Sequence, residues 1–353
     1  MKVLVLSGIF ARSPEWRATH LAETPDSLLV DGLRAAGVDV TAAGPSFRGD
    51  WSEYDVVHLN HLTNACLRAS LPNHGTRGRT KVVFTPHTSG WQPWRFRVAR
   101  NLIERRADRV VVFTEDQRER LDGRVPDRKV EIIRSGLAVD RFTASRRSRP
   151  APGEPIRLLY IGQLIECKRV HLALHLLHRV IAAGRPARLS IVSHRETLRP
   201  ELEELAEALG VSDHVDYLGT RTRDEIGPEM ATSHFLVLPS YREALSTVTS
   251  EAAICGLPTL LFDVSGSEVQ VPPGWERPEP DDVERFLRLA LERIERYEEC
   301  EEAWARNADV VRERLSVDRM VERHIELYER LVRDDTAPRA SAPRARDPRS
   351  VDA

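Results

Sequence analysis

Short runs of Val, Leu and Ile recur along the first 133 residues, at Val3 to Leu6, Val38 to Ala42, Val56 to Leu59, Lys81 to Thr85, Arg109 to Phe113 and Val130 to Ile133. Their apolarity is continuous rather than alternating, as expected of strands covered on both faces in a parallel sheet, and helical patterns fill the gaps between them. A second set of runs follows at Arg157 to Ile161, Leu189 to Val192, Val215 to Leu218, Phe235 to Leu238 and Thr259 to Phe262, again with helical stretches between, such as Arg199 to Leu209. Between the two sets, Thr143 to Pro155 loses apolar residues and gains Pro, Gly and Ser, which is linker composition. The pattern predicts an α/β protein of two Rossmann-like domains, over residues 1–145 and 155–315, facing each other across a cleft. Charged helical stretches occupy Asp281 to Glu298, Glu301 to Leu315 and Val317 to Val332, and the tail 334–353 is rich in Pro, Arg and Ser and predicted to be disordered.

Composition narrows the function classes. With 353 residues, 41% of them hydrophobic, the chain can bury two ordinary cores, and a net charge of -2 supplies no global basic field for nucleic acid. Cys66, Cys167, Cys255 and Cys300 are widely spaced and form no CxxC pair, which argues for reduced thiols rather than a zinc site or a disulfide framework. An apolar run of about 18 residues is missing and no export signal follows Met1 to Leu6, so a cytoplasmic protein is expected. No strand runs into G-x-G-x-x-G, which weakens a dehydrogenase reading. Lysine occurs only at positions 2, 81, 129 and 168.

The most informative stretch is Pro239 to Pro258, P-S-Y-R-E-A-L-S-T-V-T-S-E-A-A-I-C-G-L-P, a loop, a helix and a glycine stop between two buried strands. Ser246 or Thr247 can cap the helix, and Gly256 suits the left-handed residue that ends it. The helix start then faces the cleft, with Glu243 just before it and Glu251 about two turns along. Free amides attract phosphate while carboxylates accept from sugar hydroxyls, so the pair brackets a site suited to a nucleotide sugar. Taken alone, the spacing is equally that of a solvated loop carboxylate and an exposed helical one.

Glu, seven residues, Glu-Ala and then Gly-x-Pro resembles the signature of the family-4 retaining glycosyltransferases of GT-B fold (glycosyl transferases group 1). That resemblance implies that Glu243 binds the donor sugar and Glu251 the ribose, with Ala244, Leu245, Ser246 and Thr247 lining the donor. It also implies a last helix, 316–333, that crosses back onto the first domain. Tyr160-Ile-Gly-Gln-Leu-Ile-Glu-Cys-Lys-Arg169 is similar to the family's Gly-Arg-Leu...Lys pattern, placing Gly162, Gln163 and Lys168 at the donor diphosphate. Here the family's arginine is Gln163, which hydrogen-bonds without charge, so that either Arg169 or Arg242 compensates or donor affinity is weaker. A surface lysine at a helix start is the plainer account of Lys168.

His87 closes K-V-V-F-T-P-H at the carboxyl end of a strand, where ligands bind in open α/β sheets, and matches the family's Thr-x-His position near the reacting centre. Packing on Trp91 or Trp94 is its structural alternative. Val56-Val-His-Leu-Asn-His61 resembles the family's D-V-V-H-x-H, which puts His58, Asn60 and His61, with Trp91, near the acceptor. Ile132 to Phe142 resembles the end of the family's first domain, with Arg134-Ser135 for Pro-Asn and Gly136 retained. Of the paired glycines usual after strand one only Gly8 is present, Ser193-His194-Arg195 replaces Gly-x-Gly-Pro, and Gly266-Ser267-Glu268 stands for a longer Gly-Gly-x-x-Glu.

The resemblance therefore implies a retaining glycosyltransferase in which Glu243, His87 and Lys168 carry the chemistry on a nucleotide-diphosphate sugar. No cofactor is expected, and no metal, since Asp-x-Asp is absent. The acceptor is a glycan, a lipid-linked sugar or a small molecule. Helix 95–108 carries Arg95, Arg97, Arg100, Arg105 and Arg106, which suits a peripheral contact with anionic lipid or simply a solvated face. Alternatives are a sugar-nucleotide epimerase or phosphorylase of the same fold, or a catalytically silent sugar-nucleotide-binding protein.

Overall fold

The computed structural model describes residues 1–13, 24–63, 65–66, 80–87 and 94–336. Two parallel sheets form the framework. The first has the order β2-β1-β3-β4-β5-β6, from β1 (Lys2–Leu6), β2 (Asp39–Ala43), β3 (Val56–Asn60), β4 (Lys81–Thr85), β5 (Arg109–Val112) and β6 (Val130–Ile132). The second has the order β11-β10-β7-β8-β9, from β7 (Ile156–Ile161), β8 (Ala187–Val192), β9 (Val215–Gly219), β10 (Phe235–Leu238) and β11 (Thr259–Leu261). Every run read as a strand is one, and every pairing is parallel.

The helices follow from the apolar periodicity between strands. In the first domain they are α1 (Pro25–Ala35), α2 (Trp94–Arg106) and the short α3 (Glu115–Glu119). The second has α4 (His171–Ala182), α5 (Arg199–Ala208), α6 (Arg223–Thr232), α7 (Thr247–Ile254), α8 (Val283–Glu295) and α9 (Tyr297–Arg314). Thr24 caps α1 through a reciprocal capping box with Ser27, and Pro25 occupies the first turn, where its missing N–H costs nothing. Gly256, with φ 67°, ends α7 as its sequence suggested.

The last helix, α10 (Val317–Thr336), leaves the second domain and returns to the first. Its Met320, Val321, Leu327, Tyr328 and Leu331 share a core with Val3, Val5, Leu29 and Leu33. The start of α10 packs closely on Gly136 of the segment after β6, where an added Cβ would lie 2.8 Å from the Val317 Cα. Beside it Leu137 pairs with Ser316. The segment read as a linker is less loose than its composition suggests. Arg147 is buried and donates to the carbonyls of Met230, Cys255 and Gly256, so a guanidinium satisfies orphan oxygens at the ends of α6 and α7. All four cysteines are free thiols.

Under α10 lies a fully buried polar cluster. His58 Nδ1 meets the Tyr328 hydroxyl at 2.6 Å, His58 Nε2 meets the Thr85 hydroxyl at 2.7 Å, and His324 sits 5.4 Å from the His58 ring. Burial pushes His324 down to about 4 and holds His58 well below its usual value, with the neighbouring His324 adding to the effect. Unfolded histidines titrate near 6.5, so between these values the unfolded chain binds more protons and stability rises with pH. As pH falls from about 6.5 to about 4, His324 alone should cost about 3 kcal/mol of folding stability. Denaturant melts at stepped pH should show this slope, and His324→Leu should flatten it; an unchanged slope would exclude His324 as its source.

Candidate active site

The carboxyl ends of both sheets face one cleft, as required for ligands in open α/β sheets. From the second domain, Ser246 caps α7 by accepting from the Thr249 N–H at 3.2 Å, which leaves the amides of Thr247 and Val248 at the helix start. The loop before it is clamped. Gln270 is buried and donates to the Ser246 carbonyl and the Ser250 hydroxyl, each at 2.6 Å, while Gly266, with φ 86°, leaves no room for a Cβ beside Leu245 and the Ala244 carbonyl. That clamp fixes Glu243.

Lys168 donates to Glu243 Oε1 at 2.6 Å, with 22% and 11% of the two side chains exposed. It ends a short 3-10 turn, after which Arg169 adopts a left-handed backbone with φ 50°. The Arg169 guanidinium packs 4.7 Å from the Phe262 ring and donates to the Pro280 carbonyl, so it is already committed. Arg242 lines the cleft and lies over Tyr241. Gln163 contacts His194 at 3.2 Å, and Tyr160 donates to the Gln163 carbonyl at 2.9 Å. Gly162 is needed here because a Cβ would stand 2.8 Å from that Tyr160 hydroxyl. Glu251 is only 2% exposed within α7. Gly8 opens the turn Gly8–Ala11, whose cap is Ser7.

From the first domain, His87 lines a cavity of about 250 Å³ that Glu243 lines from the other side. Arg100, Glu104, Gln117, Arg120 and Arg124 bound the remainder of that cavity. Among the described residues two hydrogen bonds cross the cleft: the Thr114 and Ser265 hydroxyls at 3.0 Å, and Gln117 Nε2 donating to the Ala244 carbonyl at 3.4 Å.

The residues expected near the acceptor divide. His58 does not reach the cleft: it is 0% exposed with both ring nitrogens engaged beneath α10. Positions 56, 58 and 60 share one face of β3, and the return of α10 covers that face. Asn60, at the strand end, presents Oδ1 3.3 Å from His87 Nε2, and its buried Nδ2 has no hydrogen-bond partner among the described residues. His61 stacks on His87 with ring centroids 4.2 Å apart. Trp91 lies outside the described residues.

Asp26, which sequence reasoning passed over, holds this group together. It is 3% exposed in the first turn of α1, accepts from the Ser7 hydroxyl at 2.5 Å, and lies 3.2 Å from His61 Nε2 and 3.3 Å from His87 Nε2. The only signal in the sequence is the Thr24-Pro25-Asp26 helix start. Burial by itself would raise the Asp26 carboxyl, but hydrogen bonds from His61 and His87 and their charge hold it below the carboxylate range. Burial pushes His87 below the ordinary imidazole value against the pull of Asp26. Asp26, His61 and His87 have donor atoms within 4.8 Å of one another, a spacing that would admit a metal.

Residues 141–308 match the family Glycosyl transferases group 1, and residues 46–141 match Glycosyltransferase Family 4. Curated D-inositol 3-phosphate glycosyltransferases are similar over part of the chain. The protein of Streptomyces bingchenggensis is 29% identical over 185 residues, 48% of this chain and 40% of its own length. That of Nocardia farcinica is 29% identical over 249 residues, 63% and 54% respectively. The chain thus spans about half the length of the curated relatives it matches, or less. Among solved structures, sucrose-phosphate synthase from Thermosynechococcus elongatus superposes with TM-score 0.74 at 16% identity, covering 95% of this chain and 100% of that one. Anabaena HepE in complex with UDP and glucose gives 0.71 at 17% identity, covering 94% and 100%. The fold is GT-B. No described helix is long and apolar enough to cross a membrane.

The Tyr160 hydroxyl beneath Gly162 makes a direct test of the donor loop. Gly162→Ala should cost about 1–3 kcal/mol in the wild-type background, and less in Tyr160→Phe, where the crowding oxygen is gone. Denaturant midpoints of the four proteins measure the coupling; equal costs in both backgrounds would clear the hydroxyl.

Proposed function

The chain belongs to the group 1, family-4-like glycosyltransferases, and from that premise we propose that it transfers a sugar from a nucleotide-diphosphate donor to an acceptor hydroxyl, retaining anomeric configuration and needing no metal. The observation that carries this reading is the Lys168–Glu243 pair at 2.6 Å beside the start of α7, with His87 lining the same cavity as Glu243. Without ligand, Glu243 supplies the anion for Lys168. An arriving diphosphate carries more charge, takes Lys168 together with the α7 amides, and releases Glu243 to accept from sugar hydroxyls. Gln163 adds hydrogen bonds but no charge, and Arg242, not otherwise tied by a hydrogen bond among the described residues, is the better placed second cation.

The acceptor hydroxyl then approaches on the face from which the diphosphate leaves, and the leaving phosphate takes its proton. Glu243 fixes the sugar, His87 supports the charge that develops on it, and Lys168 stabilises the departing oxygens. Glu251 is assigned to the ribose by its motif position, and a small side-chain movement would be needed to bring its buried carboxylate into contact. Beyond His87 the cavity carries Arg100, Arg120 and Arg124, with Glu104 pairing the first and last. The curated relatives are named for an inositol phosphate acceptor, so a phosphorylated polyol is the first acceptor to test. Val98 and Leu102 stand 51% and 42% exposed on α2, which supports testing a lipid-linked acceptor second.

A donor panel led by UDP-sugars, scored by slow hydrolysis and then with acceptors, should identify a substrate. NMR of the product from an α-linked donor should show an α-linkage, and excess chelator should leave the rate unchanged. Lys168→Ala should lower kcat by about 10²-fold, the scale of one preorganised charge stabiliser. A β-linked product would refute retention, manganese-restored activity would refute metal independence, and binding without turnover of any donor would favour a silent sugar-nucleotide-binding protein.

A further inference from the structure

We infer that Asp26 is a positioning residue for transfer, which locks His87 in the tautomer whose Nδ1 is left to meet the sugar. This rests on the reading of the site above, and the geometry supplies three independent reasons. A carboxylate can only accept, and His87 Nε2 faces two acceptors, Asp26 Oδ1 at 3.3 Å and Asn60 Oδ1 at 3.3 Å. Nε2 therefore carries the proton. His87 Nδ1 has no hydrogen-bond partner among the described residues, and His87 lines the cavity opposite Glu243, so Nδ1 is the nitrogen available to a ligand hydroxyl.

The second reason is backbone strain. His61 and His87 adopt left-handed conformations with φ 63° and 46°, which side chains rarely occupy unless the surroundings hold them there. One carboxylate joined to both rings, stacked 4.2 Å apart, is such a restraint. The third is that Asp26 is built to stay ionised while buried. It sits in the first turn of α1, where the helix dipole favours an anion, and accepts the Ser7 hydroxyl at 2.5 Å as a further donor. A fixed negative charge behind the imidazole strengthens Nδ1 as an acceptor and steadies the ring as positive charge grows on the sugar.

The test uses the full chain labelled with ¹⁵N-histidine, and two variants, Asp26→Asn and Asp26→Glu. In the wild type, the His87 ring, assigned by loss of its signals in His87→Gln, should show the Nε2–H tautomer. Asp26→Asn presents one N–H to the rings in place of an acceptor, so the tautomer of His87 or His61 should change. With the donor found above, kcat should fall about 10²-fold with little change in donor KM, as for a misplaced reacting group. Asp26→Glu should restore part of that loss. An Nδ1–H tautomer in the wild type would overturn the inference without any variant, which matters if Asp26→Asn fails to fold. Wild-type kcat in Asp26→Asn would overturn it too, as would activity lost to chelator and restored by zinc, since that would make the trio a metal site. If no donor turns over, the transferase reading falls, whereas the tautomer measurement still decides what Asp26 does to His87.

Discussion

Everything at the cleft depends on one piece of packing, the return of α10 across the first domain. Parallel sheets can bind ligands only at their carboxyl ends, so a site shared by two such sheets requires them to be held face to face at a fixed spacing. Close packing of Val317 on Gly136 and the Leu137–Ser316 pairing start that contact, and Val321 and Tyr328 anchor it in the core of β1, β3 and α1. The same helix buries His58 and Thr85, one strand-end away from His87. Fold and site are thus tied through a single helix face.

Much of the positive charge at the site is already paired. Of the two cations that the family resemblance puts at the donor diphosphate, one position here holds the neutral Gln163 and the other, Lys168, is bonded to Glu243, while Arg100 and Arg124 in the same cavity share Glu104. Backbone amides at the start of α7 are already oriented, so an anion meeting them exchanges water for fixed donors without reorganising the chain. On the facing domain the balance is reversed: a buried carboxylate, Asp26, is surrounded by donors. Each half of the cleft therefore holds a carboxylate facing donors, Glu243 against Lys168 and Asp26 among Ser7, His61 and His87.

Much of this was legible in the chain. Continuous apolar runs located the eleven strands among the described residues to within two residues, because a strand buried on both faces has few other sequences available to it. The P-S-Y-R-E...E-A-A-I-C-G-L-P stretch placed Glu243 and the α7 cap because local chemistry determines them. Residues whose roles depend on distant partners were harder to read. His58 looked like a site residue until α10, some 270 positions away, covered it. Asp26 is one acidic residue at a helix start, and nothing near it in sequence says that two strand-end histidines converge there. Gln270 and Arg147 act on carbonyls of remote turns, a task that leaves no local pattern.

The hydroxyl pair Thr114–Ser265 and the longer Gln117–Ala244 contact are the hydrogen bonds that cross the mouth of the cleft among the described residues. Neutral bonds of this kind are worth about 0.5–1.5 kcal/mol each once water competes for the same groups. Two of them contribute about 1–3 kcal/mol, a factor of roughly 5 to 160 in a two-state ratio, beside the Arg141–Asp224 ion pair and the Arg312 hydrogen bonds to the Val139 and Phe142 carbonyls, which tie the same domains elsewhere. Bonds this weak add little at the mouth of the cleft, so the facing arrangement rests chiefly on the packing of α10 against the first domain, and the mouth is the part of the cleft that local fluctuation disturbs most easily.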